Sequence, residues 1–337
     1  MSTKETSNRK TDHIELAFAS QVEKIDKRFY YEPLLSAHPD HKTLLPVFEL
    51  AGKDMRAPIW VSSMTGGAEK AGTINKNLAK ACAEFGLGMG LGSCRIILED
   101  DTYLNDFKLR SIIGDDLPFF CNLGIAQLEE LFANNKAHLI RSLIEKTETD
   151  GLIIHVNPMQ EWLQPEGDQF FANPLDTIKR TIDLLDKPII VKEVGQGMGP
   201  KSLKELMMLP IEAIDFGALG GTNFALLEIL RGDDSYKESY EDLVHIGHSA
   251  EDMCHLFNEI LKSLNNVALC KKVIISGGVT NFLAGYYLTN IIHTNAVYGQ
   301  ASSFLKHAQG EYAKLQNYVH NQIEGLKLAQ AYLTIRL

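Results

Sequence analysis

Short apolar runs recur at Pro58–Val61, Leu87–Leu91, Pro118–Cys121, Gly151–His155, Pro188–Lys192, Ala213–Phe216, Lys272–Ser276 and Ala296–Tyr298. Several are continuous rather than alternating. A strand with one wet face alternates apolar and polar residues, so continuous runs mark strands covered on both faces, as in a parallel sheet. Most intervals between them are long enough for a helix, for example Ile74–Phe85, Leu175–Leu185 and Leu203–Met208. A βα unit repeated about eight times predicts a closed (β/α)8 TIM barrel, because closure leaves no sheet edge. An open doubly wound sheet is the weaker alternative. At 337 residues one domain suffices.

Two stretches fall outside the repeat. Residues 1–55 form an N-terminal extension, expected to pack on the barrel mouth or a neighbouring subunit, and residues 56–337 form the barrel. Within the extension Asp12 is a candidate N-cap for a helix over Ile14–Ala19. The interval Asn223–Cys270, between the sixth and seventh strands, is about twice the usual length. It carries the polar patch Arg231-Gly-Asp-Asp-Ser235 and reads equally as an excursion over the mouth, an oligomer contact or an extra pair of surface helices.

With 43 acidic against 33 basic residues the net charge of −10 disfavours nucleic acid and membrane surfaces. An anionic ligand must then be captured locally, by backbone amides, a few cations or a metal. No run approaches the roughly 18 apolar residues of a membrane span. The first residues lack the apolar core of a secretory signal, so the cytoplasm is the expected location. Cys82, Cys94, Cys121, Cys254 and Cys270 are scattered without CxxC spacing and read mostly as buried thiols.

In a barrel the residues that follow each strand face the active-site mouth. Here they are Ser62-Ser-Met-Thr-Gly-Gly67, Gly92-Ser-Cys-Arg95, Asn122-Leu-Gly124, His155-Val-Asn157 with Gln160-Glu161, Lys192-Glu193, Gly220-Gly-Thr-Asn223, Gly277-Gly278 and Gly299-Gln-Ala301. Glycines let backbone N–H groups close on a phosphate, and their coincidence after the last three strands favours a phosphate cradle over plain turns. Lys192 ends an Ile/Val strand, where its charge needs either an anionic ligand or an ion pair with Glu193 or Asp215. His155 is a candidate to hydrogen-bond a cofactor ring while neutral, or a satisfied structural histidine. Asn157 and Gln160 are neutral amides suited to orienting a substrate. Glu161 is a candidate Mg2+ ligand, though such a residue is as often a surface charge. Arg9 and Lys10 read first as solvated tail charges.

These motifs resemble the type 2 isopentenyl diphosphate isomerases, FMN-dependent (β/α)8 barrels. The matching runs include Arg9-Lys-Thr-Asp-His-Ile14, Met64-Thr-Gly-Gly67, Gly92-Ser-Cys-Arg95, His155-Val-Asn-Pro-Met-Gln-Glu-Trp-Leu-Gln-Pro-Glu-Gly-Asp168, Val191-Lys-Glu-Val-Gly195, Gly220-Gly-Thr-Asn-Phe-Ala225 and Ser276-Gly-Gly278. The resemblance implies FMN contacts by Ser63, Met64, Thr65, Ser93, Asn122, Lys192, Gly217, Thr222, Gly277, Gly278, Gln300 and Ala301. It implies substrate contacts by Arg9, Lys10, Ser93, Cys94, Arg95, Asn157 and Gln160, with Mg2+ on Glu161 and Gln160, Lys192 and His155 in the chemistry. Reduced FMN is the implied acid and base, NAD(P)H only its reductant, and the implied assembly is a homo-oligomer of four or eight. Cys94 stands where the family usually has glutamine and Gly217 where it commonly has serine. Val279-Thr-Asn-Phe282 lacks the usual arginine. The competing expectations are an FMN-dependent barrel oxidoreductase acting on a small organic acid, and a flavin-binding barrel without turnover.

Overall fold

The computed structural model of the chain describes residues 3–40, 42–62, 70–232, 234–265 and 267–336. Eight parallel strands close a barrel in chain order: β1 Ile59–Val61, β2 Gly88–Gly90, β3 Phe119–Gly124, β4 Gly151–Val156, β5 Ile189–Glu193, β6 Ala213–Asp215, β7 Val273–Ser276 and β8 Ala296–Gln300. Closure is between β8 and β1, where Tyr298 pairs with Ile59 and Gln300 with Val61.

The continuous apolar runs have a simple origin. Alternate residues such as Ile59, Val61, Ile154, Val191, Ile214 and Ile275 point outward into the core beneath the helices. Between them Trp60, Phe120, Ile153, Ile190, Ala213, Ile274 and Val297 point inward and fill the barrel as one apolar layer. Both faces of each strand are therefore dry until the inward positions two residues further on.

The helices expected from the sequence are present with shifted ends, at Ala71–Phe85, Pro174–Leu184 and Pro200–Met207. Two of them begin with Pro at the first turn, where a missing N–H costs nothing. The first helix differs more: it spans Thr3–Leu16, so Asp12 lies inside it rather than capping it, and the chain turns at Ala17–Ser20. Residues 3–11 contain neither Gly nor Pro, so nothing stops a helix from propagating back through them.

The extension does not act as one unit. Residues 8–27 are exposed throughout, and Phe29–Tyr31 pairs antiparallel with Leu333–Ile335. The hairpin Phe48–Leu50 with Lys53–Met55 closes the barrel at the amino-terminal ends of its strands, opposite the mouth, by adding Phe48, Leu50 and Met55 to the apolar layer. Each such buried side chain contributes about 1.5–3 kcal/mol. Lys272 clamps the plug, reaching Glu49 at 2.6 Å and Glu212 at 2.7 Å.

The long interval after β6 holds helices Phe224–Arg231 and Asp234–Tyr240, a 3-10 turn Glu241–His245, and then Ala250–Ser263, the helix that leads to β7. The first of these packs on the Pro158–Leu163 helix after β4, where Leu163, Ala225, Ile229 and Val244 form a small core of their own. The insertion thus covers one side of the mouth.

Candidate active site

The inward positions just above the apolar layer are all polar or glycine: Ser62, Gly90, Asn122, His155, Lys192, Asp215, Ser276 and Gly299. This ring is the floor of the mouth. Over its β5–β8 side opens a cavity of about 580 Å³ lined by Lys192, Gly217, Thr222, Gly278, Thr280, Ala301 and their neighbours. Its walls are two glycine pairs in contact: a Cβ on Gly221 would sit 3.1 Å from the Gly278 nitrogen, and one on Gly220 3.3 Å from the Gly278 Cα. Backbone, not side chains, therefore faces a ligand there.

Gly217 adopts φ +53°, and a Cβ there would lie 2.0 Å from the Glu193 carbonyl oxygen. No side chain fits this backbone, and the Gly217 N–H already donates to Ser276 Oγ at 2.9 Å. Gln300 lines the cavity, but its amide is committed: Nε2 donates to the Val279 carbonyl at 3.0 Å and Oε1 accepts from the Tyr318 hydroxyl at 3.0 Å.

Lys192 is partnered by neither of the carboxylates expected from its position. Its Nζ donates to the Glu193 carbonyl at 2.6 Å. The Glu193 carboxylate is turned away, with Oε2 accepting the N–H groups of Gly195, Gln196 and Gly197 at 2.7, 2.7 and 2.9 Å. Burial pushes its carboxyl above the ordinary range, while those three donors and Lys192 hold it down.

Asn122 Nδ2 donates to the Leu91 carbonyl at 3.1 Å, which leaves its Oδ1 to face His155 Nδ1 at 2.7 Å. His155 must therefore carry its proton on Nδ1 and a lone pair on Nε2. Burial, assisted by Lys192, lowers its pKa to about 3, so the ring is neutral at working pH. An unfolded histidine binds a proton near pH 6.5. The folded state binds fewer, so stability is complete above pH 6.5 and is lost as pH falls toward 3. Replacing His155 with Gln is expected to flatten this acid dependence by on the order of a few kcal/mol between pH 6.5 and 4. Urea unfolding at a series of pH values checks it, and parallel curves for the two proteins would remove His155 as the cause.

On the β3–β4 side a separate network is assembled. The Asn157 amide, 2% exposed, donates through Nδ2 to Gln160 Oε1 at 3.1 Å and to Glu161 Oε1 at 2.9 Å. Gln160 Nε2 reaches Glu228 Oε1 at 3.2 Å. Glu161 Oε2 accepts the Asp168 N–H at 2.8 Å, and the Asp168 carboxylate takes Arg95 at 2.7 Å and Gln127 at 2.8 Å. Glu228 also takes Arg231 at 2.5 Å. Pro158 at the first helical position turns the chain straight from β4 into Pro158–Leu163, which puts Asn157, Gln160 and Glu161 on one side of a single turn.

The structure thus brings together Asn157, Gln160, Glu161 and Arg95 in one cluster and Lys192, Thr222, Gly277, Gly278 and Ala301 in the other. Ser93 is exposed beside Arg95. Cys94 is turned away from both, fully buried in the main core, where burial pushes its thiol far above the ordinary range. All five cysteines are buried and unpaired. Arg9 and Lys10 lie exposed on the Thr3–Leu16 helix and do not line the cavity. Ser63, Met64 and Thr65 lie outside the described residues. Sequence reasoning missed Glu228, only 2% exposed. Its signal is a lone acid in the otherwise apolar run Phe-Ala-Leu-Leu-Glu-Ile-Leu of the Phe224–Arg231 helix. Among the described residues no helix is long and apolar enough to cross a membrane.

A closed barrel with a glycine-walled cavity and a carboxamide–carboxylate cluster at the carboxyl ends of its strands defines the chain as a (β/α)8-barrel enzyme. Among solved structures, a flavocytochrome b2 mutant with pyruvate bound aligns with TM-score 0.61 at 13% identity, over 90% of this chain and 71% of that one. A mandelate oxidase mutant with an FMN adduct aligns with TM-score 0.56 at 11% identity, over 92% and 88%. At such identities these show the fold alone. No family model matches the chain. Sequence relatives are closer: isopentenyl-diphosphate delta-isomerases of Rickettsia felis and Rickettsia prowazekii are each 31% identical over 95% of this chain, covering 90% and 91% of their own lengths. The chain belongs to the isopentenyl-diphosphate delta-isomerase family.

Proposed function

We propose that the protein interconverts isopentenyl and dimethylallyl diphosphate, with reduced FMN in the glycine-walled cavity and Mg2+ on the substrate diphosphate. The observation that carries this is the adjacency of the two halves of the mouth: a backbone-lined cavity suited to a phosphate beside the Asn157–Gln160–Glu161 cluster. The cavity fits the cofactor's chemistry. Besides the glycine walls, Ser62 Oγ is buried there without a partner among the described residues, and Lys192 supplies a cation. Reduced FMN supplies a proton donor and acceptor for the allylic shift, with NAD(P)H needed only to reduce it.

The chain's own residues then bind, orient and exclude water. Thr222, the glycine pairs and the Gln300–Ala301 backbone hold the cofactor phosphate. Lys192 offsets negative charge on the ring, and neutral His155 accepts a hydrogen bond through Nε2. Gln160, its amide fixed between Asn157 and Glu228, positions the alkene. Arg95, with Arg9 and Lys10 when the N-terminal helix folds in, neutralises the diphosphate, and the Ser93 hydroxyl donates a hydrogen bond to it. Among the described residues no three His, Cys, Asp or Glu side chains are grouped to hold a metal, so Glu161 would share Mg2+ with the substrate's oxygens and water. We also infer that the exposed Ile14, Phe18, Val22 and Leu34 of the extension are covered by a second copy. A monomer in light scattering would remove that inference.

The decisive experiment incubates the protein anaerobically with FMN, NADPH, Mg2+ and isopentenyl diphosphate and follows dimethylallyl diphosphate. Full turnover with oxidised FMN and no reductant would sink the flavin part. Stoichiometric NADPH consumption would favour an oxidoreductase instead. Glu161→Gln is expected to raise the Mg2+ concentration for half-maximal rate about 10- to 100-fold. An unchanged Mg2+ titration removes Glu161 from the metal site.

A further inference from the structure

The most deeply buried carboxylate of the mouth has no part in the mechanism above. Asp215 on β6 is 0% exposed. Its Oδ1 accepts the Ser276 hydroxyl, whereas Oδ2 has no hydrogen-bond partner among the described residues. In the β5–β6 register Asp215 stands directly opposite Lys192, and both belong to the same inward polar ring.

We propose that Asp215 is the positioning residue for Lys192, its unpartnered oxygen serving, without direct ion-pair contact, as the counter-charge that holds the ammonium at the cavity floor. Its consequence for the cofactor rests on the flavin assignment; the charge compensation itself does not. An isolated carboxylate this far from water costs several kcal/mol unless an opposite charge offsets it. The groups that could offset it or compete for Lys192 are few. His155, on β4, is neutral. Glu193, next to Lys192 on β5, spends its carboxylate on the Gly195–Gly197 N–H groups. Ser276, on β7, carries no charge and supports Asp215 from the far side through the chain Gly217 N–H to Ser276 Oγ to Asp215 Oδ1. Burial raises the Asp215 pKa and Lys192 is the largest influence lowering it again, the direction expected of a coupled pair. Lys192 Nζ, bonded once to the Glu193 carbonyl, has two further hydrogens to give.

The test needs no bound cofactor. In the purified apoprotein, lysines are labelled with acetic anhydride at one fixed pH over a time course and the Lys192 peptide is quantified by mass spectrometry. Asp215→Asn keeps the shape and removes the charge, so Lys192 should be acetylated several-fold faster than in the wild type, while other lysines do not move. An unchanged Lys192 rate would overturn the proposal, because a merely structural Asp215 would alter the melting temperature without selectively altering that rate. Should Asp215→Asn not fold, Lys192→Met asks the converse. Without the lysine, Asp215 keeps its proton to higher pH in the folded state, so stability should fall more steeply than in the wild type as pH rises above the ordinary carboxylate range. Equal slopes would overturn the proposal. Failure of wild-type protein to bind FMN would sink the flavin assignment and leave both outcomes readable.

Discussion

Gly277→Ala is expected to abolish FMN binding and to destabilise the barrel by several kcal/mol. Gly277 has φ +94°, and a Cβ there would lie 2.0 Å from the Ala218 carbonyl oxygen and 2.4 Å from its nitrogen. Those atoms belong to the backbone where the ends of β6 and β7 are tied by the Ala218 N–H to the Ser276 carbonyl at 2.9 Å. Nothing flexible can yield, so the two loops must separate, and with them the Gly220–Gly278 contact that walls the cavity. Gly114 isolates the other contribution: its φ is +83°, but nothing lies within 4 Å of the added Cβ. Gly114→Ala should cost only the backbone strain, about 1–3 kcal/mol, with cofactor affinity intact. Gly310, with open space and no positive φ, should tolerate Ala almost neutrally. Denaturant unfolding with fluorescence titration of FMN separates the three. Equal losses at Gly277 and Gly114 would show strain alone to be the cause and leave the cradle without support.

The barrel was legible because a strand buried on both faces cannot alternate. Phe120, Ile153 and Ile190 point in and Ile154, Val191 and Ile214 point out, so the continuous runs already encode two dry faces. The mouth was legible for the same reason. Where Lys192, His155 and Asn122 interrupt those runs, the inward layer turns from apolar to polar. What the sequence concealed are contacts between distant segments. Nothing in local spacing pairs Gln160 with Glu228, 68 residues further on; that needs the insertion to lie against the Pro158–Leu163 helix. Cys94, placed with the substrate contacts by the resemblance although it replaces the family's usual glutamine, is buried in the core instead. The backbone is fixed there by the Cys94 N–H to the Asn122 carbonyl at 2.8 Å, and the thiol turns inward. The plug at the barrel's other end escaped notice because a three-residue strand such as Phe48–Leu50 carries too little periodicity to read.

The second large effect concerns the amide that this long-range contact holds. Gln160→Ala is expected to lower kcat about 10²- to 10³-fold, the loss typical of removing one preorganised polar group from a dry site, with FMN affinity and spectrum unchanged. The amide has one orientation available. Asn157 Nδ2 donates to its Oε1, so its Nε2 must face Glu228, and Glu228 is held by Arg231. Such fixing means no ordering cost remains when the substrate arrives. Glu228→Gln keeps the side chain's size but lets the facing amides pair either way, so it should raise KM and lower kcat less than Gln160→Ala does. Because Glu228 acts through Gln160, the two changes should not add. In the Gln160→Ala background Glu228→Gln should have little further effect on kcat. Rates measured anaerobically with prereduced FMN, at saturating Mg2+ and varied isopentenyl diphosphate, give kcat and KM for all four proteins. Additive losses would mean that Glu228 acts independently of Gln160, and a Gln160→Ala enzyme within threefold of the wild-type kcat, taking about threefold as 0.65 kcal/mol, would take that amide out of the reaction.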